Sequence, residues 1–408
     1  MRAREEPPPP IVAELQGLYG AYSFPEKLLQ KVWLRGEFDR TAAVTTDGRR
    51  LAVLAPGTWN LLGGPDFRGA RFRIGEAGAR PIAADVEVHL HAADWDAHGH
   101  ARDPAYDDVG LHVVLFPPRS GHRTLGSRGQ EIPVLVLLPL LLRGLEEVAA
   151  DEAVEGLANR PLARLPEELA AIPEAERADL LRDHAGRRWR QKVRFAALRL
   201  EKLGWEGACH HAALEVLGYR FNRAPMLRLA AAEPLTRWAT GTIEPDGLFE
   251  AEREAGGWSL QGVRPANHPR VRLRQYAAWT AARPDWPARL AALAGTLPAL
   301  APTTVTRAAR AGARLSLVRE RWLDRLAAGA LGGTRWDNAV CDGFLPLLAA
   351  KGEGAAEGFW FHWYPGDLPA FVVRGLPQLG LADGKAQPVS HGLAQGLIGW
   401  LIERESRR

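Results

Sequence analysis

The chain of 408 residues has a formal net charge of +4 and a sequence pI near 9.2, and 46% of its residues are hydrophobic. These values indicate a soluble globular protein that can bury the core of one or two domains. Its two cysteines, Cys209 and Cys341, are too few for a disulfide framework or a cysteine-type zinc site.

The first 24 residues lack the apolar core of a secretory signal and are expected to form a flexible tail. The longest apolar run, Val134 to Leu142, is interrupted by Pro139 and is too short to span a bilayer. We therefore expect no membrane association and a cytoplasmic location. The basic pI permits a polyanionic partner such as nucleic acid without requiring one.

Helix and strand patterns alternate through the first part of the chain. Apolar residues from Leu28 to Trp33 recur at helical spacing and predict a helix that begins at Glu26. Alternating or apolar stretches then predict strands over Leu51–Leu54, Ala70–Ile74, Ala84–His91, Val109–Phe116 and Glu131–Leu137. A polar loop rich in His and Asp, 94–108, separates the third and fourth of these strands.

From residue 140 onward, Ala, Leu, Arg and Glu dominate at helical spacing and predict helices as far as the C-terminus. This change of pattern predicts a domain boundary near residue 150. We therefore expect a flexible tail over 1–24, an α/β domain over 25–150 and a helical domain over 151–408.

The third predicted strand has an acidic and histidine-rich face. With the two-residue period of a strand, its apolar residues lie on one face, and the other face holds Asp85, Glu87, His89 and His91. Asp66 joins this group if its own strand lies alongside. Asp66 and Glu87 would then hold Mg²⁺ or Mn²⁺, and His89 would position a water, as metal-assisted phosphodiester hydrolysis requires. The same alternation is typical of a half-buried antiparallel strand whose polar face only meets water.

Histidines are concentrated between residues 89 and 122, where six of the twelve lie. His98 and His100, with Asp94 and Asp96 nearby, could ligate zinc, because imidazole suits this metal. An alternative is therefore a zinc hydrolase whose ligands are His89, His91, His98 and His100. These histidines could instead cap loops or orient other groups.

Two basic stretches in the helical part are candidates for binding a phosphate backbone. A helix expected to begin at Arg187 leaves Arg188 and Lys192 outside its apolar stripe. A second stretch, at a loop-to-helix junction, contains Arg270 and Arg272, and arginines near helix N-termini can hold phosphate. Both stretches are also consistent with charged helix faces that only meet solvent.

A resemblance to a known family extends over nearly the whole chain. The chain resembles a bacterial family of proteins of unknown function in Glu26–Trp33, Thr46–Gly48, Pro56-Gly57, Asn60, Gly64–Phe67, Val86–His89, Asp94-Trp95, His98–His100, Asp103, Tyr106-Asp107, Leu111–Val114, Arg264–Asn267 and Gln395–Leu397. Its N-terminal half in turn resembles the PD-(D/E)XK nuclease superfamily. The core of that superfamily is a helix, three antiparallel strands, a helix and a strand.

The second resemblance implies roles for individual residues. Asp66 matches the first metal-binding aspartate, Glu87 matches the metal-binding acid, and Glu26 matches an acid found on the first helix of some members. His89 occupies the position of a lysine, which is a departure because histidine is cationic only below about pH 6.5 unless its pKa is raised. A second departure is the polar loop, which stands where a helix is expected.

These observations predict an α+β fold, in which a restriction-endonuclease-like mixed sheet with a flanking helix is followed by a mostly helical C-terminal domain. The predicted function is a metal-dependent nuclease that binds Mg²⁺ or Mn²⁺ through Asp66 and Glu87 and hydrolyses phosphodiester bonds of nucleic acid. His89 would activate water, and His98 or His100 would protonate the leaving oxygen. The alternative is a catalytically degenerate scaffold that binds nucleic acid or a protein.

Overall fold

The structure is a computed structural model that describes residues 16–17, 20–21, 25–76, 78–159, 167–219, 221–384 and 387–406. Within the expected N-terminal tail, 16–17 and 20–21 pair as two short antiparallel strands, and the rest of 1–24 lies outside the described residues. None of the helices in the described ranges is both long and apolar enough to cross a bilayer.

The strands lie in the first third of the chain. In chain order they are β1 (Gln16–Gly17), β2 (Gly20–Ala21), β3 (Leu51–Ala55), β4 (Thr58–Trp59), β5 (Phe67–Ile74), β6 (Ile82–His89), β7 (Val109–Val114), β8 (Thr124–Leu125), β9 (Glu131–Ile132) and β10 (Val134–Val136). The predicted strand over Glu131–Leu137 is divided at Pro133, because proline has no N–H to donate to a ladder.

Helices occupy most of the remaining described residues. They are α1 (Glu26–Arg35), α2 (Asp94–Ala97), α3 (Leu145–Asn159), α4 (Glu167–Ala170), α5 (Glu174–Leu217), α6 (Arg223–Ala232), α7 (Leu235–Ala239), α8 (Pro245–Glu254), α9 (Pro269–Ala282), α10 (Trp286–Ala294), α11 (Thr306–Gly312), α12 (Leu315–Ala327), α13 (Gly333–Asn338), α14 (Leu345–Ala350), α15 (Ala356–His362), α16 (Ala370–Gln378) and α17 (His391–Ser406). A π-helical turn, Ala339–Phe344, joins α13 to α14, and short 3-10 turns lie at His100–Arg102, Pro104–Tyr106, Leu138–Leu140 and Pro265–Asn267.

The main sheet is mixed, with the order β10-β7-β6-β5-β3, and β4 also pairs with β5. Strands β3, β5 and β6 are antiparallel, whereas β6, β7 and β10 are parallel. A parallel neighbour needs a crossover, and α2 with the 3-10 turns after it supplies this connection between β6 and β7. The predicted mixed α+β architecture, with a mostly helical C-terminal part, is confirmed.

Helix α1 covers one face of the sheet. Its apolar stripe from Leu28 to Trp33 packs against Phe67, Phe72, Val86 and Val88, all of which are buried. Each large apolar side chain buried in this way stabilises the fold by about 1.5–3 kcal/mol. The face of β6 that points away from α1 therefore holds Glu87 and His89.

The opposite face of β6 and β7 is covered by the segment that follows β6. Trp95, at α2, is fully buried against Val109 and Ile132, and its Nε1 donates to the carbonyl of Leu125 at 3.0 Å. The polar loop predicted here is thus a short helix followed by two 3-10 turns, and the buried Trp95 holds it on the sheet.

Helix α5 is the long central helix of the C-terminal half. It begins after Pro173 rather than at Arg187, and non-helical backbone at Gly204 (φ 67°, ψ 179°) interrupts it. Helix α17 packs closely along it, because a Cβ at Gly396 would lie 2.1 Å from the carbonyl oxygen of Leu181. A tryptophan-rich core surrounds α5, with the fully buried side chains of Trp238, Trp279, Trp286, Trp322, Trp336, Trp360 and Trp363.

Helix α3 contacts both halves of the protein. Its start packs in the core of the sheet through Val148, whereas Leu157 packs with α16 and α17. The buried guanidinium of Arg143 bridges Glu37 (2.9 Å), before the sheet, and Glu215 (3.1 Å), on α5. The predicted boundary near residue 150 therefore falls inside a helix that joins the two halves.

Candidate functional site

Strand pairing brings Asp66 next to Glu87. Phe67 on β5 pairs with Val86 on β6, so the residues that precede and follow them are neighbours. The backbone N–H of Asp66 donates to Oε2 of Glu87 at 3.0 Å, and the N–H of Val88 donates to Oδ2 of Asp66 at 3.1 Å. Each carboxylate is thus held by the backbone of the other strand.

The first helix supplies a third contact to this pair. Nε2 of Gln30 donates to Oδ1 of Asp66 at 2.6 Å, and Oε1 of Gln30 accepts from Trp59 at 3.1 Å. Burial raises the pKa of Asp66 to about 6 despite these hydrogen bonds. Burial also raises the pKa of Glu87 to about 8, and the nearby charge of Asp66 adds to this effect.

Two clustered histidines approach the free oxygen of Glu87, and a third histidine contacts one of them. Nε2 of His89 lies 3.5 Å from Oε1 of Glu87, and Nε2 of His100 lies 3.4 Å from the same oxygen. Nδ1 of His98 lies 3.1 Å from Nε2 of His89. One ring nitrogen from each of the three histidines lies within 4.8 Å of the others, so these side chains form a group that could hold a metal ion.

Burial keeps the enclosed imidazoles neutral. It lowers the pKa of His89 to about 4, with neighbouring histidines adding to the effect, and it lowers the pKa of His100 as well. The contacts with Glu87 are therefore not ion pairs at neutral pH. Nε2 of His100 is buried and makes no hydrogen bond among the described residues. Tyr106 stacks on the His100 ring at 3.8 Å and fixes its orientation.

A fourth histidine lies behind the group. His112 is directly opposite Glu87 in the pairing of β6 with β7, and it is fully buried. Its Nε2 lies 2.9 Å from Nδ1 of His89, and its Nδ1 lies 3.1 Å from Oγ1 of Thr124. Sequence reasoning did not select His112, although the two-residue period of β7 places it on the same face as Val114 and away from α1.

Other predicted residues lie outside the group. His91 is exposed and stacks on Phe116 at 5.0 Å, and the group of three histidines does not include it. Asp94 accepts the backbone N–H of His91 at 2.9 Å and thereby caps the turn into α2. Glu26, on the first turn of α1, is half-buried; burial raises its pKa, and the opposing charge of nearby His98 partly offsets this rise.

The predicted basic residues have partners within the helical half. Arg188 is buried and its Nε donates to Gln395 at 2.7 Å, which corrects the expectation that it meets solvent. The ammonium group of Lys192 pairs with Asp342 at 2.8 Å.

The second basic stretch is similar. Arg272 is buried and donates to Asn267 at 2.6 Å. Arg270 pairs with Glu250 and lies over the ring of Phe249. A role for these four cations in binding nucleic acid stays a prediction, and it would require their present pairs to be exchanged for phosphate.

Comparison with known proteins bears on the family of the chain. Residues 26–244 match the model of a family described as "Protein of unknown function (DUF2851)". No curated protein and no solved structure matches the chain. The matched range contains the main sheet, the histidine group and α5, and it covers more than half of the 408 residues. The chain therefore belongs to the DUF2851 family.

Proposed function

We propose that the protein is a phosphodiester hydrolase whose divalent metal ion is held by His89, His98 and His100, with Glu87 beside these ligands. The observation that supports this proposal is the spacing of the donor atoms: one nitrogen from each ring lies within 4.8 Å of the others, and Nδ1 of His98 lies 3.1 Å from Nε2 of His89. A tetrahedral ion with ligands at about 2.0–2.1 Å separates its donors by about 3.3 Å. The rings therefore need to approach one another by no more than about 1.5 Å to bind an ion, and the fourth position stays open for a water.

The donor set favours Zn²⁺ over the expected Mg²⁺ or Mn²⁺. Imidazole nitrogens suit zinc, whereas magnesium and manganese prefer oxygen ligands. Two carboxylates were expected to supply those oxygens, but both oxygens of Asp66 already accept hydrogen bonds from Gln30 and Val88. Neutral imidazoles and an unpartnered Nε2 on His100 are the ligand forms that zinc requires.

The residues around this group suit hydrolysis. A zinc ion with an accessible position lowers the pKa of a bound water to about 7 and polarises a phosphoryl oxygen. His98 is exposed, so solvent and substrate can reach the group from its side. Asp66, with a pKa of about 6, can take up and release a proton near neutral pH, as general acid–base catalysis needs.

The open part of the sheet offers a surface for an anionic substrate. Arg71 and Arg73 on β5 are exposed on the face that also holds Glu87, and within the described residues they make no ion pair. Arg71 is opposite Ala83 on β6, which places it about 13 Å from Glu87 along the strand. The half-buried carboxylate of Asp85 lies between them and accepts a backbone N–H. Two unpaired arginines beside one carboxylate leave this surface net positive, which favours phosphate-containing substrates.

Metal-dependent hydrolysis tests the proposal. The purified protein is freed of metal with a chelator and supplied with Zn²⁺, Mn²⁺ or Mg²⁺, and hydrolysis of bis(p-nitrophenyl) phosphate and of DNA and RNA oligonucleotides is then followed. We expect activity with Zn²⁺ that falls at least 100-fold in His98→Ala. His91→Ala is the matched control, because this exposed histidine is near the group but outside it, and it should keep the activity.

The outcomes also separate the alternative function. A protein that binds no divalent metal, and binds oligonucleotides equally well with and without chelator, would be the non-catalytic scaffold. Hydrolysis that persists unchanged in both His98→Ala and Glu87→Gln would mean that the reaction occurs elsewhere or comes from a contaminant. Either result would overturn the proposal.

A further inference from the structure

A buried row of three polar side chains runs from the histidine group into the protein. His89, His112 and Thr124 are each at most 1% exposed. Nδ1 of His89 lies 2.9 Å from Nε2 of His112, and Nδ1 of His112 lies 3.1 Å from Oγ1 of Thr124. Burying two imidazoles and a hydroxyl is costly unless they are hydrogen-bonded to one another, so this row has a defined arrangement of protons.

Between two neutral imidazoles, one ring must donate and the other must accept. Both rings are at most 1% exposed, and burial disfavours the cationic form of an imidazole, so each ring has a single proton. If His89 donates from Nδ1, then His112 accepts at Nε2 and donates from Nδ1 to the hydroxyl oxygen of Thr124. This order leaves Nε2 of His89 without a proton, and Nε2 is the atom that faces Glu87 and His98.

The reverse order would place a proton on Nε2 of His89 and block it as a ligand. Thr124 would then have to donate its only hydroxyl proton to His112. The first order leaves Nε2 of His89 able to bind a metal ion. In this order the hydroxyl oxygen of Thr124 accepts a hydrogen bond from His112, and the hydroxyl proton of Thr124 can still be donated to another group. Metal-binding histidines commonly donate their second N–H to a buried acceptor, which fixes the tautomer and the ring orientation.

We infer that His112 is a positioning residue of the histidine group. It accepts a hydrogen bond from Nδ1–H of His89 and so presents the unprotonated Nε2 of His89 to the ion. Thr124 orients His112 in the same way, by accepting a hydrogen bond from its Nδ1–H. The role assigned to His112 rests on the proposed function. The tautomer of His89 does not, because it is a property of the metal-free protein. His112 is thereby added to the group as a residue that touches neither the ion nor the substrate.

The tautomer is measured first, in the metal-free protein. Long-range ¹H–¹⁵N NMR correlations on histidine-labelled protein distinguish a protonated Nδ1 from a protonated Nε2. His89→Gln identifies the signal of His89 by its disappearance. We expect the Nδ1–H form for His89 in the wild-type protein and the Nε2–H form, which is the usual form in free histidine, in His112→Leu. Wild-type His89 in the Nε2–H form would overturn the inference, whatever the metal results are.

Metal affinity is measured second, with Co²⁺ as a spectroscopic substitute and Zn²⁺ in competition. His112→Gln keeps an acceptor for His89 and a donor for Thr124, so we expect an affinity within about threefold of wild type. His112→Leu loses both and should bind 10–100-fold more weakly, with an altered Co²⁺ visible spectrum. Equal affinity in the Gln and Leu variants would contradict the inference.

Two further results keep the test decisive. Thr124→Val preserves the shape of the side chain but removes the hydrogen-bond acceptor of His112, so it should also weaken metal binding. This variant replaces His112→Leu in the test if His112→Leu does not fold. A wild-type protein that binds no metal, yet shows His89 in the Nδ1–H form, would overturn the proposed function and leave the hydrogen-bonded row correct.

Discussion

The stability of the helical half should depend on pH through His210. This side chain is buried in α5, where Nδ1 accepts from the hydroxyl of Tyr276 at 2.6 Å and Nε2 donates to the carbonyl oxygen of Glu233 at 2.9 Å. Burial lowers the pKa of His210 from its usual 6.5 to about 4. In the folded state the ring therefore stays neutral over a pH range in which the unfolded chain binds a proton.

The sign and size of the effect follow from this difference. Between pH 6.5 and about 4 the unfolded state binds more protons, so the free energy of unfolding falls as the pH falls through that window. The full shift corresponds to about 3 kcal/mol, since one pKa unit is worth about 1.4 kcal/mol. Between pH 7 and pH 5 the expected loss due to His210 is about 2 kcal/mol.

Hydrogen exchange measured by mass spectrometry gives the opening free energy of α5 and α9 at both pH values. In His210→Gln, which retains a hydrogen-bonding side chain without a titrating ring, the loss from pH 7 to pH 5 should be smaller by about 2 kcal/mol. Buried histidines distant from His210 contribute equally to both proteins and cancel, whereas the pKa of neighbouring His211, which is lowered mainly by burial, loses the smaller part that is due to His210. His91→Gln, a change of an exposed histidine, should not alter the slope. A slope that is the same in wild type and His210→Gln would refute the reasoning.

Three further outcomes are expected. Trp95→Ala removes a fully buried side chain and its hydrogen bond to Leu125, so it should lower the local stability by about 3–5 kcal/mol. It should also weaken Zn²⁺ binding measured by calorimetry, and unchanged binding would show that Trp95 does not hold the segment of His98 and His100 on the sheet. Gly396→Ala should lower the melting temperature by several degrees, because its Cβ would lie 2.1 Å from the Leu181 carbonyl, whereas Gly312→Ala, with no atom within 4 Å, should not. Removing metal by chelation should lower the melting temperature of zinc-loaded protein, since an ion at 100 times its Kd stabilises the folded state by about 2.7 kcal/mol; equal melting temperatures would mean that no ion binds the folded protein.

Local patterns in the sequence predicted the parts of the fold that depend on local physics. The helical spacing of Leu28 to Trp33 and the alternation through Glu87 and His89 reflect which side of an element is buried, and this is set by neighbours a few residues away. The approach of Asp66 to Glu87 followed from one further step, the pairing of adjacent antiparallel strands.

The composition of the histidine group was less accessible to sequence reasoning. His100 reaches Glu87 and His98 reaches His89 because Trp95 is buried and folds the segment back over the sheet, which is a tertiary contact. His112 comes from a parallel strand, whose register with β6 depends on the whole crossover.

Charged residues in the helical half showed the same limit. Arg188 sits at a position that helical spacing assigns to a polar face, yet α17 covers it and Gln395 accepts its hydrogen bond. A partner 207 residues away cannot be deduced from periodicity. Arg143 likewise joins Glu37 to Glu215 across both halves, and no pattern near any of these residues indicates the pairing.

X-ray absorption at the zinc edge, on protein loaded with one equivalent of Zn²⁺, tests most directly whether the histidine group binds the metal ion. We expect nitrogen and oxygen ligands at about 2.0–2.1 Å and the more distant scattering of three imidazole rings, which falls to two rings in His98→Ala. A spectrum with fewer than three imidazoles in the wild-type protein, or one that is unchanged in His98→Ala, would contradict this expectation.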